Sequence, residues 1–186
     1  VDQLKVTISA TGKYGASITG YSSTVDGTSY SGSTYTTGAL TKSGAIRVTA
    51  TVTDSRGWKT TASKDITVQA YAAPTVTGVS AYRCKSASDT SSDASGAYIC
   101  IKPTGSVTPL GSTNGRLCTV YWKKATETSW QSKTLSMSAY TLSGYVVVSA
   151  DTAASYNICV RLQDSFQLVD HYAPDVMSAA AFIDIL

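Results

Sequence analysis

The sequence predicts an all-β protein made of two β-sandwiches in tandem. The first observation is an alternation of apolar and polar side chains over 46–53, typical of a strand with one buried and one exposed face. The second is the turn that follows at Asp54-Ser55, because short polar side chains bond local backbone amides. The third is the return of the same device at Asp164-Ser165, roughly 110 positions later, close to the ~100 residues that one β-sandwich occupies.

The elements of the first half follow from the same two-residue period, taken in chain order. Strands are predicted at 4–8 and 17–25, and the Asp26-Gly27 pair after the second is typical of a two-residue hairpin turn. The strand at 46–53 pairs, through the turn at Asp54, with a strand at 58–68. Trp58 opens that strand at a position whose parity suits the core.

A break in the alternation over 69–74 marks a domain boundary. Pro74 biases the preceding residue to an extended backbone and removes a donor from any strand ladder. We therefore predict two immunoglobulin-like domains, 1–72 and 73–186. The link between them is short, which predicts a stiff spacer rather than two freely moving modules.

The second half repeats the pattern of strands and polar turns. Strands are predicted at 75–84, 98–102, 117–124, 156–163 and 168–172, with a polar loop over 85–96 and a connection over 103–115. The run at 117–124, followed by Trp130, resembles the third strand and adjoining hairpin of fibronectin type III-like domains. Tyr156 resembles their tyrosine at the start of the sixth strand. The resemblance implies an immunoglobulin-like or fibronectin type III-like sandwich of about seven strands.

Composition narrows the classes of function. With 42% apolar and 15% charged residues among 186, the chain fits a globular protein, and its apolar runs, such as 145–148, are far short of the ~20 residues of a membrane-spanning helix. The net charge of +3 comes from scattered basic residues. We therefore expect no membrane insertion and no nucleic-acid partner.

Four cysteines lie in the second half without C-x-x-C spacing, so a zinc site is not predicted. A bridge between Cys84 and Cys100 is geometrically possible if they end paired strands. Cys118 has the parity of a buried thiol, whereas the alternation around Cys159 predicts that its side chain faces out. We favour four reduced thiols and synthesis in a reducing compartment.

Residues suited to catalysis are scarce. His171 is the only histidine and Glu127 the only glutamate, and no G-x-S-x-G motif or phosphate-binding glycine loop is present. The loop at 88–96 carries two aspartates but lacks the ligand spacing of a calcium loop. The sequence thus predicts a protein that is not an enzyme, with no catalytic residues, no metal site and no cofactor.

Aromatic side chains are the remaining candidates for recognition. Four of them, in or near predicted loops, form the candidate ligand-binding set: Tyr30, Tyr35, Trp130 and Tyr140. Exposed rings can stack on sugars or anchor a protein interface. A structural interpretation, in which tyrosines cover sheet faces and Trp58 and Trp122 fill cores, is favoured over sugar binding.

Several runs, taken together, resemble the C-terminal part of minor structural proteins from long-tailed bacteriophages of Gram-positive hosts. They lie at 14–21, 25–27, 37–40, 52–57, 81–84 and 180–184. In that family the last run usually continues into an F-R-x-D-G-x-G segment, which this sequence does not contain. The resemblance implies no catalytic residues.

The resemblance implies a virion structural protein of a tail tip, baseplate or tail fibre, synthesised in the cytoplasm of the host bacterium. Its expected partners are other tail or baseplate proteins, host cell-wall glycan and further copies of the chain. The role would be that of a spacer or adhesion module in host attachment. The alternatives are a carbohydrate-binding module for cell-wall polysaccharide and an accessory β-sandwich of a bacterial surface adhesin or wall hydrolase.

Overall fold

The computed structural model describes residues 3–179, and all regular secondary structure in that range is β-strand. The chain divides into two compact units, Val1–Ala70 and Tyr71–Leu186. They are two tandem β-sandwiches of the immunoglobulin-like, fibronectin type III-like class, so the predicted fold class is confirmed. The boundary drawn between 72 and 73 remains a prediction at the level of single residues. No helix of a length and apolarity suited to crossing a membrane occurs in 3–179.

The first unit pairs a four-stranded sheet with a two-stranded one. The larger sheet has the order β3-β2-β5-β6 and the smaller one consists of β1 and β4, all antiparallel. The strands are β1 (Lys5–Thr7), β2 (Ile18–Val25), β3 (Thr28–Ser31), β4 (Thr34–Thr36), β5 (Gly44–Asp54) and β6 (Lys59–Val68).

The turns of this unit lie where the sequence places them. Asp26 and Gly27 both have positive φ, 46° and 81°, as a two-residue hairpin with the twist of its strands requires. The core is small, because Val25 and Ile46 are buried whereas the apolar residues that follow on the same face of β5 are only half-buried. The core position predicted for Trp58 is wrong: it precedes β6 in the turn, and 75% of it is exposed.

The second unit contains eight strands in two antiparallel four-stranded sheets. One has the order β10-β9-β13-β14; in the other, β8 pairs with β7 along one edge and with β11 and β12 along its opposite edge. Because β11 and β12 are two short pieces of one edge, the arrangement corresponds to the seven strands expected. The strands are β7 (Thr75–Cys84), β8 (Tyr98–Ser106), β9 (Leu117–Lys124), β10 (Gln131–Leu135), β11 (Thr141–Leu142), β12 (Val146–Ser149), β13 (Tyr156–Gln163) and β14 (Leu168–Tyr172).

Inward-facing side chains of both sheets form one hydrophobic core, whose largest buried members are Ile99, Ile101, Leu142, Ile158 and Leu162. Trp122 packs against this core, as its parity predicts. Tyr156 begins β13, and its buried hydroxyl accepts a hydrogen bond from the amide of Asp151 at 2.8 Å. The fibronectin-like tyrosine thus ties a loop to the core.

Two predictions for this unit are corrected. The connection expected from residue 103 begins later, because Pro103 lies inside β8, opposite Val79. The missing donor of proline is tolerated where the other edge of β8 is interrupted between β11 and β12. Cys159 does not face solvent: it points outward but is only 5% exposed, since Tyr121 and Tyr172 flank it on the neighbouring strands.

All four cysteines are free thiols, and all four are buried. Cys84 lies opposite Tyr98, whereas Cys100 lies opposite Tyr82, so the two cysteines are diagonal neighbours rather than a directly facing pair. Diagonal positions are typically ~7–8 Å apart, beyond the usual Cα spacing of a disulfide.

Candidate functional site

The outward face of the β10-β9-β13-β14 sheet carries the aromatic side chains best placed for recognition. At one end of this face lie Trp130, Tyr172, Tyr121, Lys123 and Asn157, and we call the surface that they form the aromatic face. Strand register arranges this surface in rows. One row runs Ser132, Tyr121, Cys159, Tyr172 across the four strands. In the next row Lys123 lies opposite Asn157, and Trp130, directly before β10, continues the same register.

Trp130 and Tyr172 approach each other over the middle of the sheet. Tyr172 lies on edge strand β14 and Trp130 directly before the opposite edge strand β10, yet their ring centroids are 6.5 Å apart with an interplanar angle of 60°. Trp130 is 39% exposed and Tyr172 67% exposed. The rings therefore meet at an angle and leave apolar surface open to solvent, with the geometry of an edge-to-face aromatic pair.

Polar groups surround the two rings. The ammonium of Lys123 lies 5.4 Å from the centre of the Trp130 ring and donates a hydrogen bond to the carbonyl of Glu127 at 2.7 Å. Asn157 Nδ2 donates to Asp175 Oδ1 at 2.8 Å. Asn157 Oδ1 and the second carboxylate oxygen of Asp175 have no protein partner within the described part of the chain, so acceptors for hydroxyl groups are available beside the rings.

An ion pair closes the aromatic face on one side. Arg161 donates from Nε and Nη2 to the two carboxylate oxygens of Asp170, both at 2.7 Å, and its guanidinium lies 5.5 Å from the ring centre of Tyr121. These bonds from Arg161 lower the pKa of Asp170 and raise that of the guanidinium. The row of this pair separates the aromatic face from exposed Leu117 and Leu168 at the other end of the sheet.

Tyr30 and Tyr35, two of the predicted candidates, form a pair in the first unit. Their rings stack with centroids 4.5 Å apart and planes 9° apart. Ser23 Oγ lies 2.6 Å from the Tyr35 hydroxyl, so this pair joins the two sheets of the unit. Each ring covers the other, and both are half-buried, which leaves less open ring surface than on Trp130 and Tyr172.

Tyr140, the fourth candidate, has structural contacts. It packs against the core of the second unit, its hydroxyl donates to the carbonyl of Asn114 at 3.1 Å, and the guanidinium of Arg116 lies 4.6 Å from its ring centre. Its ring is therefore engaged on several sides. Of the predicted set, only Trp130 lies on the aromatic face.

Sequence reasoning missed Tyr172, Tyr121, Lys123, Asn157 and Asp175. They are distant in sequence from Trp130, and only the pairing of β9, β13 and β14 brings them together. A usable signal was present: Tyr121, Lys123, Asn157 and Tyr172 all have outward parity on predicted strands. The sequence does not state which strands are neighbours.

The acidic side chains of the described residues mainly serve turns and ion pairs. In the loop at 88–96, Asp89 accepts the amide of Ser91 at 2.9 Å, and Asp93 accepts the amide and hydroxyl of Ser95 at 3.0 and 2.7 Å. No group of three metal-ligating side chains occurs in 3–179. His171 shares a face with Val160, whereas its neighbour Asp170 points to the opposite face and pairs with Arg161.

Comparison with known proteins gives no family. No known protein family matches the chain, and no curated protein matches it. Among solved structures, it is similar to the crystal structure of the FN1-FN3 domains of chicken CNTN1, with 14% sequence identity and a TM-score of 0.34, over 92% of this chain. The chain spans 62% of the length of that structure. A likeness of this size identifies neither a family nor a function.

Proposed function

We propose that the chain is a non-catalytic structural module of a bacteriophage tail appendage, with a spacer or adhesion role in host attachment. Immunoglobulin-like sandwiches are typical of structural and adhesion modules. The observation that carries the adhesion role is the exposed Trp130–Tyr172 pair on a sheet whose neighbouring charges, Arg161 and Asp170, neutralise each other. This arrangement suits binding without turnover.

The tail assignment is supported by the six runs that resemble minor structural proteins of long-tailed phages. The run at 52–57 forms the end of β5 and its turn, and the run at 25–27 forms the hairpin between β2 and β3. The run at 180–184 lies outside the described residues. On this proposal the chain resides in the virion, after synthesis in the host cytoplasm, and its partners are other tail or baseplate proteins, further copies of itself and host glycan.

The reading frames on either side of the coding sequence test this proposal. Phage tail genes occur in blocks, so we expect neighbours that encode other tail components, such as tape-measure or baseplate proteins. Neighbours that encode bacterial metabolic or cell-wall enzymes, with no phage gene among them, would refute the tail assignment.

A second candidate function is a carbohydrate-binding module or accessory sandwich of a bacterial adhesin or wall hydrolase. The open ring surface of Trp130 and Tyr172 favours it equally, because the same surface would serve a glycan in either setting. The two candidates differ in gene context: a hydrolase would carry a catalytic domain in the same reading frame, whereas a tail protein would lie among virion genes.

A further inference from the structure

We infer that Trp130 and Tyr172 form a glycan-binding site, in which a pyranose ring stacks on the aromatic pair and its hydroxyl groups bond to Asn157, Asp175 and Lys123. The inference rests on the proposed function only for the source of the glycan, a host cell wall. The site itself is argued from the contacts on the aromatic face.

The rings supply the apolar part of the site. A pyranose presents a face of C–H groups that matches an aromatic ring, and burial of that face removes apolar area from water. The angle of 60° between the rings gives two surfaces on which one or two sugar units can lie. Neither ring is closed off by the protein, since 39% of Trp130 and 67% of Tyr172 remain exposed.

The polar groups would fix the orientation of the sugar through hydrogen bonds. Sugar hydroxyls both donate and accept, so a site needs both kinds of partner at the edge of the ring. Asp175 and the side-chain oxygen of Asn157 accept, and the ammonium of Lys123 donates. The Asn157–Asp175 bond of 2.8 Å fixes both side chains before a ligand arrives, which reduces the entropy lost on binding.

A sugar fits this surface better than a protein partner does. A stable protein interface needs about 800 Å² on each side with an apolar, charge-poor centre. At the Trp130 end of the sheet the apolar surface consists of two rings, bordered by Lys123 on one side. On another side the Arg161–Asp170 pair separates the rings from exposed Leu117 and Leu168. That size and that polar border match one or two sugar units.

The rings are also held in place without a ligand. Lys123 lies beside Trp130 at 5.4 Å from its ring centre, and Tyr172 stands directly opposite Cys159, which it covers. Aromatic side chains anchored in this way lose little rotamer freedom when a ligand stacks on them. These contacts restrict the two rings before a ligand binds.

An array of hexose and N-acetylhexosamine oligosaccharides, followed by calorimetric titration of the best-bound compound, tests the inference on the full chain. We expect Trp130→Ala to weaken binding by about tenfold or more, because a central ring contact is lost. Trp58→Ala is the matched control: it removes a tryptophan that is 75% exposed in the other unit, and it should leave affinity within about twofold.

Further variants protect the test against misfolding. Tyr172→Ala should weaken binding to a similar extent, but it also uncovers Cys159, so Tyr172→Phe, which keeps the ring, should restore most of the affinity. Asn157→Ala should weaken binding while the rings stay intact. Melting temperatures close to that of the wild type identify the variants that remain folded.

Either of two sugar-binding results would overturn the inference: no array sugar bound by the wild-type chain, or unchanged affinity in folded Trp130→Ala. Loss of binding to a tail protein, rather than to sugar, in the same variant would also contradict it and would assign the face to a protein partner. None of these results bears on the neighbouring genes, so the glycan site and the tail assignment can fail separately.

Discussion

Arg83, on β7 of the second unit, has a buried guanidinium, and only 5% of the residue is exposed. It donates hydrogen bonds of 2.6 to 3.0 Å to four backbone carbonyls, those of Gly96, Asp151, Ala154 and Met177. These carbonyls belong to segments far apart in sequence. One side chain thus satisfies acceptors that would otherwise be left without partners where three loops meet.

We expect Arg83→Met to lower the free energy of unfolding by about 2–4 kcal/mol, because buried carbonyls lose charge-assisted hydrogen bonds. Urea denaturation followed by circular dichroism measures the change. Arg116→Met is the matched control, since Arg116 is exposed, and it should cost less than about 1 kcal/mol. Equal losses in the two variants would show that the carbonyl contacts of Arg83 contribute little.

Cys118 shows how burial acts on a thiol. It is fully enclosed in the core, and burial raises its pKa to about 11 from an ordinary value near 9. Burial also raises the pKa of Cys84 and Cys159. Cys84, Cys118 and Cys159 are therefore protonated in the folded protein at neutral pH, whereas only a thiolate is reactive. All four cysteines are buried, so the fold also shields them from reagents.

Titration with a thiol reagent at pH 8, without reductant, should find four free thiols in the unfolded protein and almost none in the folded one. Two thiols after unfolding would mean that a disulfide forms.

The free energy of unfolding, measured over a series of pH values, tests the effect of burial on Cys118. Because the pKa of Cys118 is higher in the folded state, its contribution to stability is present below pH ~9 and is lost as pH rises through about 11.

At the scale of elements, the two Asp-Ser turns use one mechanism in different surroundings. Asp54 Oδ1 accepts the amides of Arg56 and Trp58 at 2.9 and 3.0 Å. Asp164 Oδ1 accepts the amides of Phe166 and Gln167, both at 2.7 Å. Asp164 is buried and also bonds to Asn114 Nδ2 at 3.2 Å, so its turn is tied to the interior of its unit.

We expect Asp164→Ala to lower the free energy of unfolding by about 2–3 kcal/mol, since two part-buried amides and the buried amide group of Asn114 lose a charged acceptor. Asp54→Ala, at a more solvated turn, should cost less, and Asp164→Asn should retain part of the stability. Urea denaturation at pH 7 measures all three. If the two alanine variants lose the same amount, burial does not distinguish the turns.

The same carboxylate gives a pH dependence. Burial alone would raise the pKa of Asp164, but the amides of Gln167 and Phe166, with Asn114 and Tyr71, outweigh it and lower the pKa. Its stabilising effect is therefore present above the unfolded pKa of ~3.9 and is lost as pH falls through the lower folded value. The difference between wild type and Asp164→Ala should shrink in acid.

Elements were easier to predict than their surroundings. Periodicity gave β7 and β9 with their observed ends, because long alternating strands bounded by polar loops leave few alternatives. The parity of a position predicts the side of the strand on which a side chain lies, but not what covers that side. For this reason the predicted exposure of Trp58 and of Cys159 was wrong. The aromatic face was not predicted for a related reason: Trp130 and Tyr172 are neighbours only because of the order of the strands in the sheet.

At the scale of the whole molecule, the two units differ in the size of their cores and in their exposed aromatic surface. The second unit has a continuous core and the aromatic face, whereas the first buries little beyond Val25 and Ile46. The described residues form five ion pairs, and each unit contains some of them, such as Arg47–Asp65 in the first unit and Lys124–Asp151 in the second.

Incubation of the purified chain with isolated Gram-positive cell walls tests this account most directly, with protein in the pellet and soluble wall fragments measured in the same sample. We predict saturable binding to the walls that Trp130→Ala weakens, together with release of fragments no greater than in a protein-free control. Release of soluble fragments that grows with time and protein concentration, or an absence of binding, would contradict an adhesive and non-catalytic role.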